Sequence, residues 1–308
     1  MDARCVIAVD VGGTCMKAAL VDEHAVPLVS RRVPTGAAEG PQAVMARVAA
    51  TVEQLRRVAI ERARTPVAVG VVVPGVVDET AGVAVFAANL GWRDLPVRAL
   101  LERRSALPIA FGHDVRAGAA AEGVLGAARG VADFLFLPIG TGIAGAIVLD
   151  GRPYAAGGWA GELGHVVVAP GGRCCGCGGR GCLETVASAA AVAARYAEAG
   201  GPSVDAEEVL RRAAGDDPLA AAVLHDAATA LAMALAMYVS VLAPQLIVVG
   251  GGLAAAGNQL LDPLATLLSE QLSFQRAPKL VTAALGERAG CLGAALLAWR
   301  RVEDRVRS

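Results

Sequence analysis

The chain has 308 residues, 28 Lys+Arg against 29 Asp+Glu, and a formal net charge of −1 at pH 7. That length exceeds what a single core usually spans, so two domains are expected, and the near-neutral balance removes the electrostatic footprint of a nucleic-acid binder. With 55% hydrophobic, 19% charged and 4% aromatic residues, a largely disordered chain is excluded and few platforms remain for stacking single strands.

Val6 to Val9 reads as a short apolar strand running into Asp10-Val11-Gly12-Gly13-Thr14. Strands are expected at Ala18 to Val21 and Pro27 to Val33, joined by the turn Asp22-Glu23-His24. From Gly40 to Arg64, Val44, Val48, Val52, Leu55 and Ala59 share one face, which predicts a helix. Val67 to Val73 is a β-branched run stopped by Pro74-Gly75. Pro108 to Phe111 predicts a further strand, followed by Gly112-His113-Asp114 and an alanine-rich helix to about Gly126.

The pattern then restarts. Phe134 to Pro138 and Ala144 to Leu149 read as strands around the turn Gly140-Thr141-Gly142, and Asp150-Gly151 signals a hairpin. A strand, a Gly/Thr turn and a strand thus head each of two α/β halves, which suggests a duplicated architecture with a cleft between domains. Residues Ala227 to Gly257 carry no charged side chain and are long enough to cross a bilayer. Pro244 divides them, however, and Leu246 to Val249 followed by Gly250-Gly251-Gly252 reads as a strand and a tight turn. A buried helix followed by a strand is therefore expected, with no membrane partner. No signal-peptide layout is visible near Asp2, so a cytoplasmic location is expected.

Seven cysteines are an odd number, and Cys174, Cys175, Cys177 and Cys182 crowd into one glycine-rich loop. Clustered thiols point to a metal knuckle in a reducing compartment rather than a disulfide framework. Three thiolates and the imidazole of His165 complete a closed tetrahedral zinc site, which organises structure and leaves no open position to activate water. By spacing alone, Cys174 competes with Cys175 for one ligand position. One imidazole nitrogen on zinc leaves the other facing outward, so His165 is a candidate for a ligand hydroxyl, with Glu162 and Glu184 beside it.

Asp10-Val11-Gly12-Gly13-Thr14 places glycines where backbone approaches something closely, and its N–H groups suit an anion, although a plain hairpin turn has the same look. Gly140-Thr141-Gly142 and Gly250-Gly251-Gly252 also follow apolar strands, and three such turns favour a nucleotide. Neither the Gly-Lys-Ser/Thr phosphate loop nor the dinucleotide fingerprint is present. Only Lys17 and Lys279 are lysines among the 28 basic residues, and Lys17, just past the first turn, suits a phosphate as a point charge. Asp114 stands where a strand ends and a helix begins, a place for a general base and equally for a helix cap.

Taken in order, Asp10-x-Gly12-Gly13-Thr14, Pro74-Gly75, Asn89-Leu-Gly-Trp92, Gly140-Thr141-Gly142, Glu162-x-Gly164-His165, Cys175-x-Cys177-Gly178-x-x-Gly181-Cys182-Leu-Glu184 and Gly250-Gly251-Gly252 resemble the ROK family of bacterial sugar kinases and repressors across essentially the whole chain. The resemblance implies an actin-like (ribonuclease H-like) duplicated two-domain α/β fold with an interdomain cleft and a zinc-binding loop. The domains expected are 1–115 and 116–290, with a helix at about 291–308 packing on the first. It implies ATP-dependent transfer of the γ-phosphoryl group to a hexose, usually at the 6-hydroxyl, with Asp114 as general base. Gly75, Asn89, His113, Glu162, His165 and Glu184 would contact the sugar. The turns at Gly12 and Gly140 would face the nucleotide phosphates, the Gly250 turn the adenosine, and Mg2+ would ride with ATP near Asp10. His165, Cys175, Cys177 and Cys182 would hold Zn2+, and a homodimer is suggested.

Two departures from the family pattern bear on specificity. His113 stands where glucokinases of the family usually carry Asn, so the sugar is glucose or an analogue altered near carbon 3 or 4, such as 3-amino-3-deoxyglucose (kanosamine). Cys15 follows Gly-Gly-Thr where Lys is frequent, and the Gly-x-x-Lys arrangement ending at Lys17 is similar to polyphosphate-using glucokinases, which generally lack the knuckle. A sugar-responsive repressor is the competing reading. Such proteins carry a helix-turn-helix before the first glycine turn, and Asp10 stands too early for one, so a kinase is expected.

Overall fold

The computed structural model describes residues 3–307. Met1, Asp2 and Ser308, which the expected first domain and C-terminal helix include, lie outside the described residues. The chain divides into two compact units. The first comprises Met1–Ala121, Pro153–Ala160 and Glu287–Ser308, and the second Glu122–Arg152 and Gly161–Gly286.

The first unit opens with strands β1 (Ala3–Val11), β2 (Cys15–Val21) and β3 (Pro27–Pro34), then helix α1 (Pro41–Glu61) and strand β4 (Arg64–Val73). Short strands β5 (Val76–Asp78), β6 (Val83–Ala87) and β7 (Trp92–Leu95) follow, then α2 (Val97–Glu102), β8 (Ile109–His113) and α3 (Asp114–Leu125). The main sheet has the order β3-β2-β1-β4-β8, antiparallel across β1, β2 and β3 and parallel from β1 through β4 to β8. Strands β1, β4 and β8 are largely buried, which is why they read as nearly unbroken apolar runs. On one face α1 lays down Val44, Val48, Val52, Leu55 and Ala59 against Ile7, Val9, Val69 and Val71. Burying a side chain such as Leu55 completely contributes about 2 kcal/mol.

Helix α1 ends at Glu61, three residues before the end expected from its pattern, because Ala63 turns left-handed at φ 53° and Arg64 already opens β4. The small sheet β5-β6-β7 was not expected at all. Its strands are three to five residues long, too short for period-2 alternation to stand out.

In the second unit come β9 (Phe134–Pro138), β10 (Ala146–Leu149), the first residue of β11 (Arg152–Tyr154), the short helix α4 (Glu184–Ala187), α5 (Ala189–Glu198) and α6 (Ala206–Ala214). Helix α7 (Pro218–Leu242), β12 (Leu246–Gly250), α8 (Asn258–Gln271) and β13 (Lys279–Thr282) complete it. The sheet order β11-β10-β9-β12-β13 repeats that of the first unit, again with an antiparallel first pair and parallel later ones. The strand–glycine turn–strand pattern seen twice in the sequence is therefore a duplication of sheet topology. Helix α7 and strand β12 are separate elements either side of Pro244, as expected. By length and hydropathy α7 alone would suffice to cross a membrane, but Ala227, Leu231, Ala234 and Leu235 are buried in the core of this unit.

The last helix, α9 (Ala289–Arg307), belongs to the first unit and covers the sheet face opposite α1. It lies so close that a Cβ at Gly70 would sit 1.9 Å from the carbonyl oxygen of Ala294, and one at Gly293 would sit 2.2 Å from that of Ala117. Alanine on both partners makes this approach possible, with Ala8, Ala68, Ala294, Ala295 and Ala298 buried at the contact.

Candidate active site

The first unit brings together Asp10, the Gly12 turn, Asn89, His113 and Asp114. Asp10 lies near the end of β1, opposite Lys17 in the antiparallel register with β2. Burial, and then the charge of Asp114, push its carboxyl up to about 7, while Lys17 pulls it down. A Cβ at Gly290, in the first turn of α9, would stand 2.5 Å from Asp10 Oδ2, so the helix start closes over that carboxylate.

Gly12-Gly13-Thr14 closes the β1–β2 hairpin, and the Gly12 N–H donates to the Cys15 carbonyl at 3.2 Å. Buried Thr35 fastens the turn from β3, its Oγ1 donating to the Gly12 carbonyl at 2.6 Å and its N–H to Thr14 at 2.9 Å. Side chains are excluded there, because a Cβ at Gly12 would meet the Cys15 oxygen at 2.8 Å and one at Gly13 would meet Asn89 Cβ at 3.2 Å. Asn89 is exposed beside this turn, and its own turn is anchored by Trp92, whose Nε1 donates to the Pro41 carbonyl at 3.0 Å. Gly75 adopts φ 93°, where a Cβ would meet the Phe86 oxygen at 2.2 Å.

Asp114 opens α3 directly after β8. Its Oδ1 accepts the Val115 N–H at 2.7 Å and lies 3.5 Å from His113 Nδ1. The buried His113 ring caps the helix, Nδ1 accepting the Arg116 N–H at 3.3 Å. The capping role that sequence had left open for Asp114 therefore falls to its neighbour.

In the second unit, Glu162 and His165 lie on a segment whose glycines are required by contact. A Cβ at Gly161 would meet the Gly145 oxygen at 2.2 Å, and one at Gly164 would meet that of Ile143 at 2.1 Å. His165 Nδ1 is 3.6 Å from Cys175 Sγ, and its Nε2 lies 3.9 Å from Glu162 Oε2. Cys177 and Cys182 sulfurs are 3.7 Å apart, and all four donor atoms lie within 4.8 Å of one another. Tetrahedral zinc with ordinary bond lengths requires sulfur–sulfur edges of about 3.8 Å and nitrogen–sulfur edges of about 3.6 Å, so the cage has the right size. Cys174 stands outside it, exposed, its sulfur accepting from Arg180 Nη1 at 3.0 Å. Burial, then the Glu162 charge, push the Tyr238 phenol up, which brings α7 electrostatically close to this segment.

Glu184, at the start of α4, reaches the second glycine turn. Its Oε2 accepts the Ile143 N–H at 2.9 Å, and a Cβ at Gly142 would stand 2.3 Å from that oxygen. The third turn packs on the same segment, since Gly251 at φ 79° leaves no room for a Cβ beside the Ile139 carbonyl, 2.3 Å away. At Gly140 and Gly252, by contrast, a Cβ would meet nothing within 4 Å. Packing does not demand glycine at those two positions, and the open space fits a ligand approaching the backbone.

The profile of the ROK family matches residues 6–301. The chain belongs to the ROK family. Among ROK proteins, the glucokinase of Thermotoga maritima is 33% identical over 314 residues, 96% of this chain and 98% of its own. The N-acetylmannosamine kinase of Citrobacter koseri is 34% identical over 294 residues, 95% of this chain and 98% of its own. The crystal structure of a ROK family glucokinase from Streptomyces griseus, in complex with glucose and AMPPNP, superposes with a TM-score of 0.84 at 29% identity, covering 96% of this chain and 99% of that one. The mixed-sheet α/β fold is accordingly the actin-like fold of ROK kinases.

Sequence reasoning did not mark two residues that pack at the His113–Asp114 junction. Glu79, in the turn after β5, accepts from Arg116 Nε at 2.8 Å and from the His113 N–H at 3.4 Å through the same Oε1. No motif marks either one. The only signal is a lone Arg among the alanines that open α3.

Proposed function

We propose that the chain transfers the γ-phosphoryl group of ATP to the 6-hydroxyl of a glucose-like hexose, with Asp114 as general base, within the hexokinase-type sugar kinases to which its relatives belong. The observation that carries this reading is the placement of Asp114. Its carboxylate stands where β8 passes into α3, with Oδ1 steadied by the Val115 N–H and its charge acting on buried Asp10. In the reaction the carboxylate takes the hydroxyl proton as the sugar oxygen bonds to the γ-phosphorus. The bond from that phosphorus to the bridging oxygen breaks, and ADP leaves with the electron pair.

Gly75, Asn89, His113, Glu162, His165 and Glu184 are proposed to hold the sugar. The turns at Gly12 and Gly140, with Lys17, would receive the phosphates, and the Gly250 turn the adenosine. Mg2+ bound with ATP would neutralise charge on the phosphates. His165, Cys175, Cys177 and Cys182 would hold zinc, which stiffens the loop bearing His165 and Glu184. The relatives named glucokinase support glucose over kanosamine as the sugar.

The test is a coupled assay on glucose, kanosamine and N-acetylmannosamine with ATP and polyphosphate as donors. Asp114→Asn is expected to lower kcat at least 1000-fold with the protein folded, and wild-type turnover by that variant would refute the assigned base. A kcat/KM higher for kanosamine than for glucose would overturn the sugar preference.

A further inference from the structure

We propose that Glu79 and Arg116 are positioning residues that hold the His113–Asp114 junction in its working geometry. The inference rests on Asp114 acting as the base. A single oxygen, Glu79 Oε1, accepts from the last residue of β8 through the His113 N–H and from the first turn of α3 through Arg116 Nε. Asp114 stands in the chain between those two attachments. The Glu79 carboxyl also lies over the strand end, 3.9 Å from where a Cβ of Gly112 would be.

Burial separates this pair from an ordinary surface ion pair. The Arg116 side chain is 4% exposed and that of Glu79 36% exposed. A guanidinium so buried depends on the oxygen that accepts from it, since loss of that acceptor leaves a buried donor unpaired. Arg116 Nη2 finds no protein acceptor among the described residues, a cost that the pair's contribution to packing does not explain. Glu79 is itself fixed from α2, where Arg98 Nη2 donates to its carbonyl at 2.5 Å and Arg98 Nη1 to that of Thr80 at 2.9 Å. The turn holding Glu79 joins β5 to β6, so the brace ties the sheet bordered by Gly75 and Asn89 to the strand end that presents the base.

Displacing a reacting group by about 1 Å costs on the order of 100-fold in rate. Glu79→Ala is accordingly expected to lower kcat about 10- to 100-fold and to raise the KM for the sugar, with the KM for ATP within about twofold of wild type. Glu79→Gln keeps the accepting oxygen and is expected to recover most of the lost kcat. The double variant Glu79→Ala/Arg116→Ala is expected to be no slower than the worse single variant, because the two act as one unit. Wild-type kcat and sugar KM in Glu79→Ala would overturn the proposal. So would a loss that Glu79→Gln does not recover, or one shared equally by the sugar and ATP constants. Should Glu79→Ala fail to fold, Arg116→Ala takes its place, with the same fall in kcat and rise in sugar KM expected and wild-type constants overturning the proposal. Measured alongside, Asp114→Asn separates the two ideas: activity there sinks the base assignment, whereas an inert Asp114→Asn with an unaffected Glu79→Ala sinks only the brace.

Discussion

The carboxylate of Glu122 accepts the backbone N–H of Leu285 at 2.8 Å, across 163 positions of chain. Glu122 is fully buried, and its Oε2 also accepts the N–H groups of Ala127 at 2.7 Å and Ala284 at 3.2 Å. Both partner segments lie where the chain changes unit, at Ala121/Glu122 and at Gly286/Glu287. One carboxylate therefore pins the end of α3 to the segment that leads into α9.

Glu122→Ala is expected to cost at least about 3 kcal/mol, since it strands several buried N–H groups at once. Urea denaturation measures this. A loss below about 1 kcal/mol would show that the three N–H groups find other acceptors.

Asp10 makes stability depend on pH in a defined direction. Its carboxyl is raised from 3.8 to about 7, so the folded protein holds that proton more tightly than the unfolded chain does. The resulting stability is complete below the unfolded value and is lost as pH rises toward the folded one. In the nucleotide-free protein, Asp10→Asn is expected to gain stability on the order of 3 kcal/mol at pH 8 and to converge with wild type near pH 4. Melting temperatures across that range provide the check, and parallel curves for the two proteins would contradict it.

Zinc content distinguishes two adjacent cysteines. The purified protein is expected to carry one zinc per chain, and Cys177→Ser to lose both the metal and several degrees of Tm. Cys174→Ser is expected to keep both, because Cys174 faces Arg180 outside the cage. Metal analysis that finds the reverse, or no zinc in wild type, would refute the ligand set.

Gly251 and Gly130 have nearly the same backbone angle, φ 79° and 80°, but different surroundings. Alanine at 130 meets nothing within 4 Å and is expected to cost about 1 kcal/mol. At 251 its Cβ would press 2.3 Å from the Ile139 oxygen, so a loss of about 2 kcal/mol or more is expected, with weakened ATP binding. Equal losses at the two positions would mean that the Ile139 segment gives way without consequence.

The apolar runs at Val6 and Val67 and the stripe of Val44, Val48, Val52 and Leu55 reveal sheet and helix because burial on a strand or a helix imposes a period that local sequence carries. Glycine turns were legible for a related reason, since close backbone approach admits few residue types, and the Cys175–Cys182 spacing marked three side chains that gather around His165. Tertiary structure alone decided the rest. It placed Cys175 rather than Cys174 beside His165, made His113 rather than Asp114 the cap of α3, and joined Glu79 to Arg116 and Glu122 to Leu285. A polar side chain gains its role from whichever partner the fold brings within about 3 Å, and partners distant in the chain leave no periodic trace.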